Sequence, residues 1–183
     1  MKFKNIEVKK RRGFHPYFTT QPNSIVSEYI KKFSKKNDTI LDSFCGSGVT
    51  LLESRILNRN SIGIDLSHFA CFISNLSTQK ISNLKIVDKN FRDIEKSVKN
   101  KIVGQYNNKE INIKNLWQPK NILLPKNADC KYLKDIFTKN NYSCLVVLIN
   151  KINELEDEKI RNLFRGIFSG VLHRASRTFF MIN

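Results

Sequence analysis

The stretch Thr39-Ile40-Leu41-Asp42-Ser43-Phe44-Cys45-Gly46-Ser47-Gly48-Val49-Thr50, TILDSFCGSGVT, decides how this chain is read. It has the form of a short buried strand, Thr39 to Asp42, that breaks into a glycine turn and enters a helix from Val49 to Leu57. Asn58-Arg59-Asn60 then reads as a turn, and Ser61 to Asp65 as a second strand. Ser67 is placed to cap a third helix containing Phe69, Ala70, Phe72, Ile73 and Leu76. Strand, helix and strand in so few residues make a βαβ unit, so the expected class is α/β with a parallel sheet.

The turn is suited to an anion. Gly46 and Gly48 carry no side chain where a ligand must approach the backbone. The N-terminus of the following helix offers unpaired N–H groups to a carboxylate or phosphate. A dinucleotide site of the form G-x-G-x-x-G requires a third glycine, but Leu51 stands there. A P-loop requires a lysine after the glycines, and Val49-Thr50 supplies none. Asp65, at the tip of the second strand, is placed either to accept hydrogen bonds from ribose hydroxyls or to serve as a turn or capping aspartate. The first reading favours an adenosine-containing cofactor. Phe44 either faces a cationic centre or packs in the core.

Working outward, Ile25, Val26, Tyr29, Ile30 and Phe33 share a helical face over 24–33, with Asn23 or Ser24 as cap after Pro22. Residues 84–99 show weak helical spacing, and 100–118 read as a polar, loop-bearing insertion. Ser143 to Leu155 reads as a helix. Glu158 to Arg177 carries a wide apolar stripe of Ile160, Leu163, Phe164, Ile167, Phe168, Val171 and Leu172. Gly166 and Gly170 there mark a break or a close contact. Arg161, Arg165, Arg174 and Arg177 lie off the stripe, as phosphate contacts or as a solvated face. Three parts are expected: a basic arm at 1–13, a cofactor-binding βαβ core at 14–99 and a helical connecting region at 100–183.

The 183 residues are enough for one domain with a real core. Lys and Arg total 32 against 16 Asp and Glu, a net +16 that points to a polyanion, most simply nucleic acid. A/T-rich codons produce the same excess of Lys, Asn and Ile. The four cysteines, 45, 71, 130 and 144, include no C-x-x-C pair. His15, His68 and His173 complete no zinc pattern, so no metal is expected. No signal peptide or membrane segment is read, and a cytoplasmic location is expected.

TILDSFCGSGVTLLESRILNRNSIGIDL resembles motifs I and II of the S-adenosylmethionine-dependent DNA amino-methyltransferases, the adenine-N6 and cytosine-N4 enzymes. HPYFTTQPNSIVSEYIKKFS, from His15 to Ser34, is similar to their motif X. NLWQPKNILLP and INELEDEKIRNLFRGIFSGVLHRAS look like the connecting region of one branch. The resemblance implies a Rossmann-like methyltransferase fold, incomplete at the C-terminus. It implies that Asp42, Ser43, Phe44, Cys45, Gly46, Ser47, Gly48 and Thr50 hold the methionine part of the cofactor. Asp65, with Leu66 beside it, would take the ribose side. Pro16, Tyr17, Phe18, Thr19 and Pro22 would close over the methionine end. His15 would either seat the cofactor or serve as a buried structural histidine. Ser43 departs from the family's usual proline and Val49 from its usual threonine.

Such enzymes orient the acceptor amine with a [DSN]-P-P-[YFW] motif. Prolines occur here only at 16, 22, 119 and 125, so the motif is absent and no catalytic residue is assigned. The expected protein is therefore the cofactor-binding part of a longer or split DNA methyltransferase, with cytosine-N4 favoured over adenine-N6. DNA is its expected partner, together with a second chain carrying the missing motif. An RNA methyltransferase and a non-catalytic cofactor- or DNA-binding subunit are the alternatives.

Overall fold

The computed structural model describes residues 17, 20–107 and 110–177, and they form two compact units, divided between Ile81 and Ser82. The arm at 1–13 lies outside the described residues. Position 99, where the sequence reading sets a boundary, falls inside a helix.

Unit 1 holds α1 (Asn23–Phe33), β1 (Thr39–Asp42), α2 (Val49–Ile56), β2 (Asn60–Gly63) and α3 (His68–Thr78). The strands pair in parallel, with Thr39 opposite Asn60 and Asp42 opposite Gly63. The expected βαβ unit and α/β class are therefore present. α2 lies against both strands, and α1 and α3 each pack on α2. Asn58, at a φ of 59°, reverses the chain after α2, and Arg59 N–H donates to Ser54 O at 2.8 Å. Arg59 also donates to the Ser34 carbonyl at 2.8 Å, tying the end of α1 to this turn.

The expectation of a buried first strand is corrected. Leu41 and its register partner Ile62 are 62% and 54% exposed. Side chains alternate across a strand, and α2 covers the face of Ile40 and Ser61. Parallel sheets are ordinarily covered on both faces; among the described residues this pair is covered on one. The α1 stripe is corrected likewise: Ile30 is buried, whereas Tyr29 and Phe33 are exposed and stack on each other at 6.0 Å. Asn23 does not cap α1 either. It is the first helical residue, and its side chain is turned to α2.

That contact centres on Glu53, which is 1% exposed. Asn23 Nδ2 donates to it at 3.0 Å, and Ser27 Oγ donates to its second oxygen. A buried carboxylate is tolerable only when its oxygens are met in this way. Glu53→Gln puts an NH₂ where a donor now points. The expected loss is about 1 kcal/mol, read as a lower denaturation midpoint at unchanged slope; a shift below about 0.3 kcal/mol, within the error of distant-site additivity, would count against the α1–α2 tether.

Unit 2 holds α4 (Leu84–Tyr106), α5 (Lys139–Asn153) and α6 (Glu158–Ala175), with a 3-10 turn at Leu133–Ile136. Ile94, Ile152, Ile160 and Phe164 form its core, flanked by Val87, Leu148, Ile149, Leu155 and Phe168. Asn83, Thr138 and Asp157 cap the three helices with their side chains. The loop expected from residue 100 begins later, because α4 continues to Tyr106. Gln105 holds that last turn, donating to Asn140 Oδ1 at 3.0 Å and accepting from Ile111 N–H at 2.8 Å. α6 runs through Gly166 and Gly170 without a break, and Gly166 is buried. Ile167 and Val171 of the expected apolar stripe are exposed.

Candidate functional site

The site is built at the C-terminal ends of β1 and β2, where the chain must leave each strand and start a helix. After β1, Asp42 Oδ1 accepts Phe44 N–H at 3.1 Å and turns the chain. Cys45 N–H then donates to Ile64 O at 2.9 Å, and Gly48 N–H donates to Cys45 O at 2.7 Å. The loop is thus stitched to the extension of β2 before α2 begins.

Gly46 and Gly48 both have the left-handed backbone that glycine adopts without cost, at φ of 49° and 82°. Their surroundings differ. A Cβ on Gly46 would lie 3.3 Å from the Tyr17 ring. Tyr17, from the segment expected to close over the methionine end, therefore stands against the glycine turn. A Cβ on Gly48 would lie 2.7 Å from Ser74 Cβ and 2.8 Å from Ser74 Cα. At Gly48, therefore, α3 occupies the space that a side chain would need. Gly48 is also the cap position of α2, so the first-turn N–H groups of α2, which include that of Thr50, have no side-chain cap.

Asp65 joins the two halves. Its Oδ2 accepts Gly46 N–H at 2.9 Å, and its Oδ1 accepts Ser67 N–H at 2.9 Å. The turn-aspartate role is therefore real, and each oxygen keeps a second lone pair for another donor. These backbone bonds, first from Ser67 and then from Gly46, hold the Asp65 carboxyl below its ordinary value. Leu66 beside it is fully exposed.

Other expected site residues separate by burial. Phe44 is 86% exposed, which rules out its core-packing alternative. Ser43 is exposed, and Ser47 lends its carbonyl to Ser77 Oγ at 3.4 Å. Cys45 is buried, with Sγ 3.7 Å from Ser74 Oγ, and burial pushes its thiol up. Cys45 serves the turn through its backbone. His15, Pro16, Phe18 and Thr19 lie outside the described residues.

Sequence reading missed Ser74 and Ser77, which bring α3 against the turn. A small polar residue inside a helix gave no signal for it. Glu53 was legible only as a charged residue amid the apolar positions of α2. Of the four arginines weighed as phosphate contacts, two have structural partners. Arg161 donates to Leu155 O at 2.6 Å, and Arg165 donates to Asn153 Oδ1 at 2.8 and 2.9 Å. Arg174 and Arg177 are exposed.

Among the described residues, no cluster of His, Cys, Asp and Glu could hold a metal ion, and no helix is long and apolar enough to cross a membrane.

The geometry has sequence relatives. Residues 2–76 match a family described as DNA methylase. Type II methyltransferase M.MjaII of Methanocaldococcus jannaschii is 37% identical over 78 residues, covering 43% of this chain and 15% of the relative. M.BsoBI of Geobacillus stearothermophilus is 31% identical over 117 residues, 60% of this chain and 23% of the relative. M2.MboI of Moraxella bovis is 42% identical over 57 residues, 31% of this chain and 20% of the relative. The chain thus spans under a quarter of the length of these relatives. No solved structure matches it. The glycine turn, Asp65 and α3 up to Leu76 all fall inside the segment that is similar to the DNA methylase family.

Proposed function

We propose that unit 1 binds S-adenosylmethionine and that the chain is the cofactor-binding part of a site-specific DNA amino-methyltransferase, acting on cytosine N4 in preference to adenine N6, in the cytoplasm. The observation that carries this reading is the Asp65–Gly46 hydrogen bond, which unites the carboxylate at the tip of β2 with the glycine turn after β1.

The residues present fit the cofactor. The uncapped N-terminus of α2 suits the methionine carboxylate. Asp65 suits the ribose hydroxyls through its remaining lone pairs. Phe44 and Leu66 offer exposed apolar surface on the two sides of the turn's sequence. Tyr17, whose ring lies against Gly46, would cover the methionine end. When bound, S-adenosylmethionine supplies an electrophilic methyl group on a sulfonium. The work of this chain is to orient that group and limit its access to water; the acceptor amine would be held by a [DSN]-P-P-[YFW] motif on a further segment or a second chain.

Calorimetry with S-adenosylmethionine tests the reading. Saturable binding is expected, and no heat at about 1 mM ligand, equivalent to about 4 kcal/mol, overturns it. A methyl-transfer assay on unmethylated DNA is expected to show little or no turnover by this chain alone. Robust turnover would mean that the acceptor site lies within these residues.

A further inference from the structure

Unit 2 contains a cavity of about 600 Å³, lined by α5, α6 and parts of the segment between α4 and α5. Its size falls in the range of small-molecule sites. Its apolar lining includes four aromatic rings, Trp117, Phe137, Tyr142 and Phe168, among aliphatic side chains. Trp117 is held by its backbone, whose N–H donates to Asn150 Oδ1 at 2.9 Å and whose carbonyl accepts Asn150 Nδ2 at 2.8 Å. Its side chain is nonetheless left open, for Trp117 is 57% exposed. An aromatic residue pinned by its backbone and open at its ring is a pre-organised stacking surface.

The polar part of the lining has one sign. Lys120 and Lys134 belong to it, and no carboxylate does among the described residues. The amides of Gln118 and Asn121 supply neutral donors and acceptors, and Tyr142 O–H donates to Gln118 Oε1 at 3.3 Å. An apolar protein helix would fill the rings but offer no anion to Lys120 or to Lys134, whose Nζ otherwise lies only over the Tyr132 ring at 5.9 Å. A flat heteroaromatic group with polar edges, tethered to anions, answers all three features. Aromatic platforms beside cations are the general means of holding unpaired bases.

We propose that this cavity accepts an unpaired base of a DNA strand, stacked on Trp117, with Lys120 and Lys134 meeting the flanking phosphates. The choice of DNA rests on the function proposed above; the base-binding cavity does not require cofactor at the glycine turn.

Trp117 is the only tryptophan in the chain, so its emission reports this cavity directly. The full chain is titrated with a fluorophore-labelled single-stranded oligothymidylate for anisotropy, and with the unlabelled strand for Trp117 emission. Binding with strong quenching is expected. An abasic strand of equal charge is expected to bind about 10-fold more weakly, the scale of one lost stacking contact, and to leave the emission unchanged. The double variant Lys120→Glu, Lys134→Glu is expected to bind at least 10-fold more weakly. Its salt slope should fall by about 1.4, for two phosphates on a single strand. Binding without a change in Trp117 emission, equal quenching by the abasic strand, or no binding overturns the cavity assignment. Equal quenching by oligouridylate overturns the choice of DNA. S-adenosylmethionine calorimetry on the same preparation separates the two readings. Cofactor binding without quenching strikes only the cavity, and quenching without cofactor binding strikes only the proposed function.

Discussion

Gly48→Ala is expected to destabilise unit 1 by about 2–5 kcal/mol, the sum of a left-handed backbone and an overpacked contact. The backbone cost follows from the φ of 82°, which a residue with a Cβ adopts poorly. The packing cost follows from Ser74, whose Cα and Cβ would lie within 2.8 Å of the new methyl. Backbone atoms cannot swing aside as a long side chain can, so α3 must move away from α2. Gly46→Ala is the internal comparison. Its φ is also positive, but the nearest neighbour is the Tyr17 ring at 3.3 Å, which can shift by a few tenths of an ångström. About 1–2 kcal/mol is expected there, from the backbone alone. Urea denaturation of both variants decides the matter. Equal losses at the two positions would mean that the α3 contact carries no weight.

Asp65→Ala is expected to weaken S-adenosylmethionine binding by about 10- to 100-fold, the worth of a hydrogen bond to a charged acceptor. The side chain holds Gly46 N–H and Ser67 N–H in place, so its removal loosens the turn as well as removing a ribose acceptor. Asp65→Asn separates the two effects, since its single carbonyl oxygen can keep only one of those bonds at full strength. An affinity within about two-fold of the parent for the alanine variant, against the tenfold per 1.4 kcal/mol expected of a lost bond, would remove Asp65 from the cofactor site. The same carboxylate gives a pH dependence. Its folded-state value lies below the ordinary 3.8, because both oxygens accept backbone N–H groups. The stability it contributes is therefore fully present above about pH 3.8 and is lost as pH falls through the lower folded value. Denaturation midpoints of the parent should fall over that acid window, and those of Asp65→Asn should fall less.

Much of this was legible without coordinates. A β-branched or aliphatic pair before two closely spaced glycines, then leucines at helical spacing, leaves the strand–turn–helix as the one arrangement that suits every residue. Ser67 announced its helix because a serine before an apolar run has few better uses than capping. The likeness to DNA methylases over residues 2–76 was also legible, because His15–Ser34, Asp42–Thr50 and Asp65 stand in the order and spacing of motifs X, I and II.

What sequence could not show was which atoms share a space. A glycine required by a ligand and a glycine required by a neighbouring helix have the same letter. At Gly48 a neighbouring helix fills the place of a side chain, and only the approach of Ser74 reveals it. Burial was misjudged for the same reason. Leu41 and Ile62 are apolar and belong in strands, but whether a strand face is covered depends on what else packs there. Glu53 reads as a surface charge until Asn23 and Ser27 are seen to meet it. The cavity around Trp117 draws its lining from four separate stretches between positions 117 and 176, which no one period links. Local propensity and motif spacing act over a few residues, and they determined the elements and the glycine turn. Contacts between elements arise from long-range packing, and they alone decided what each glycine, carboxylate and aromatic ring faces.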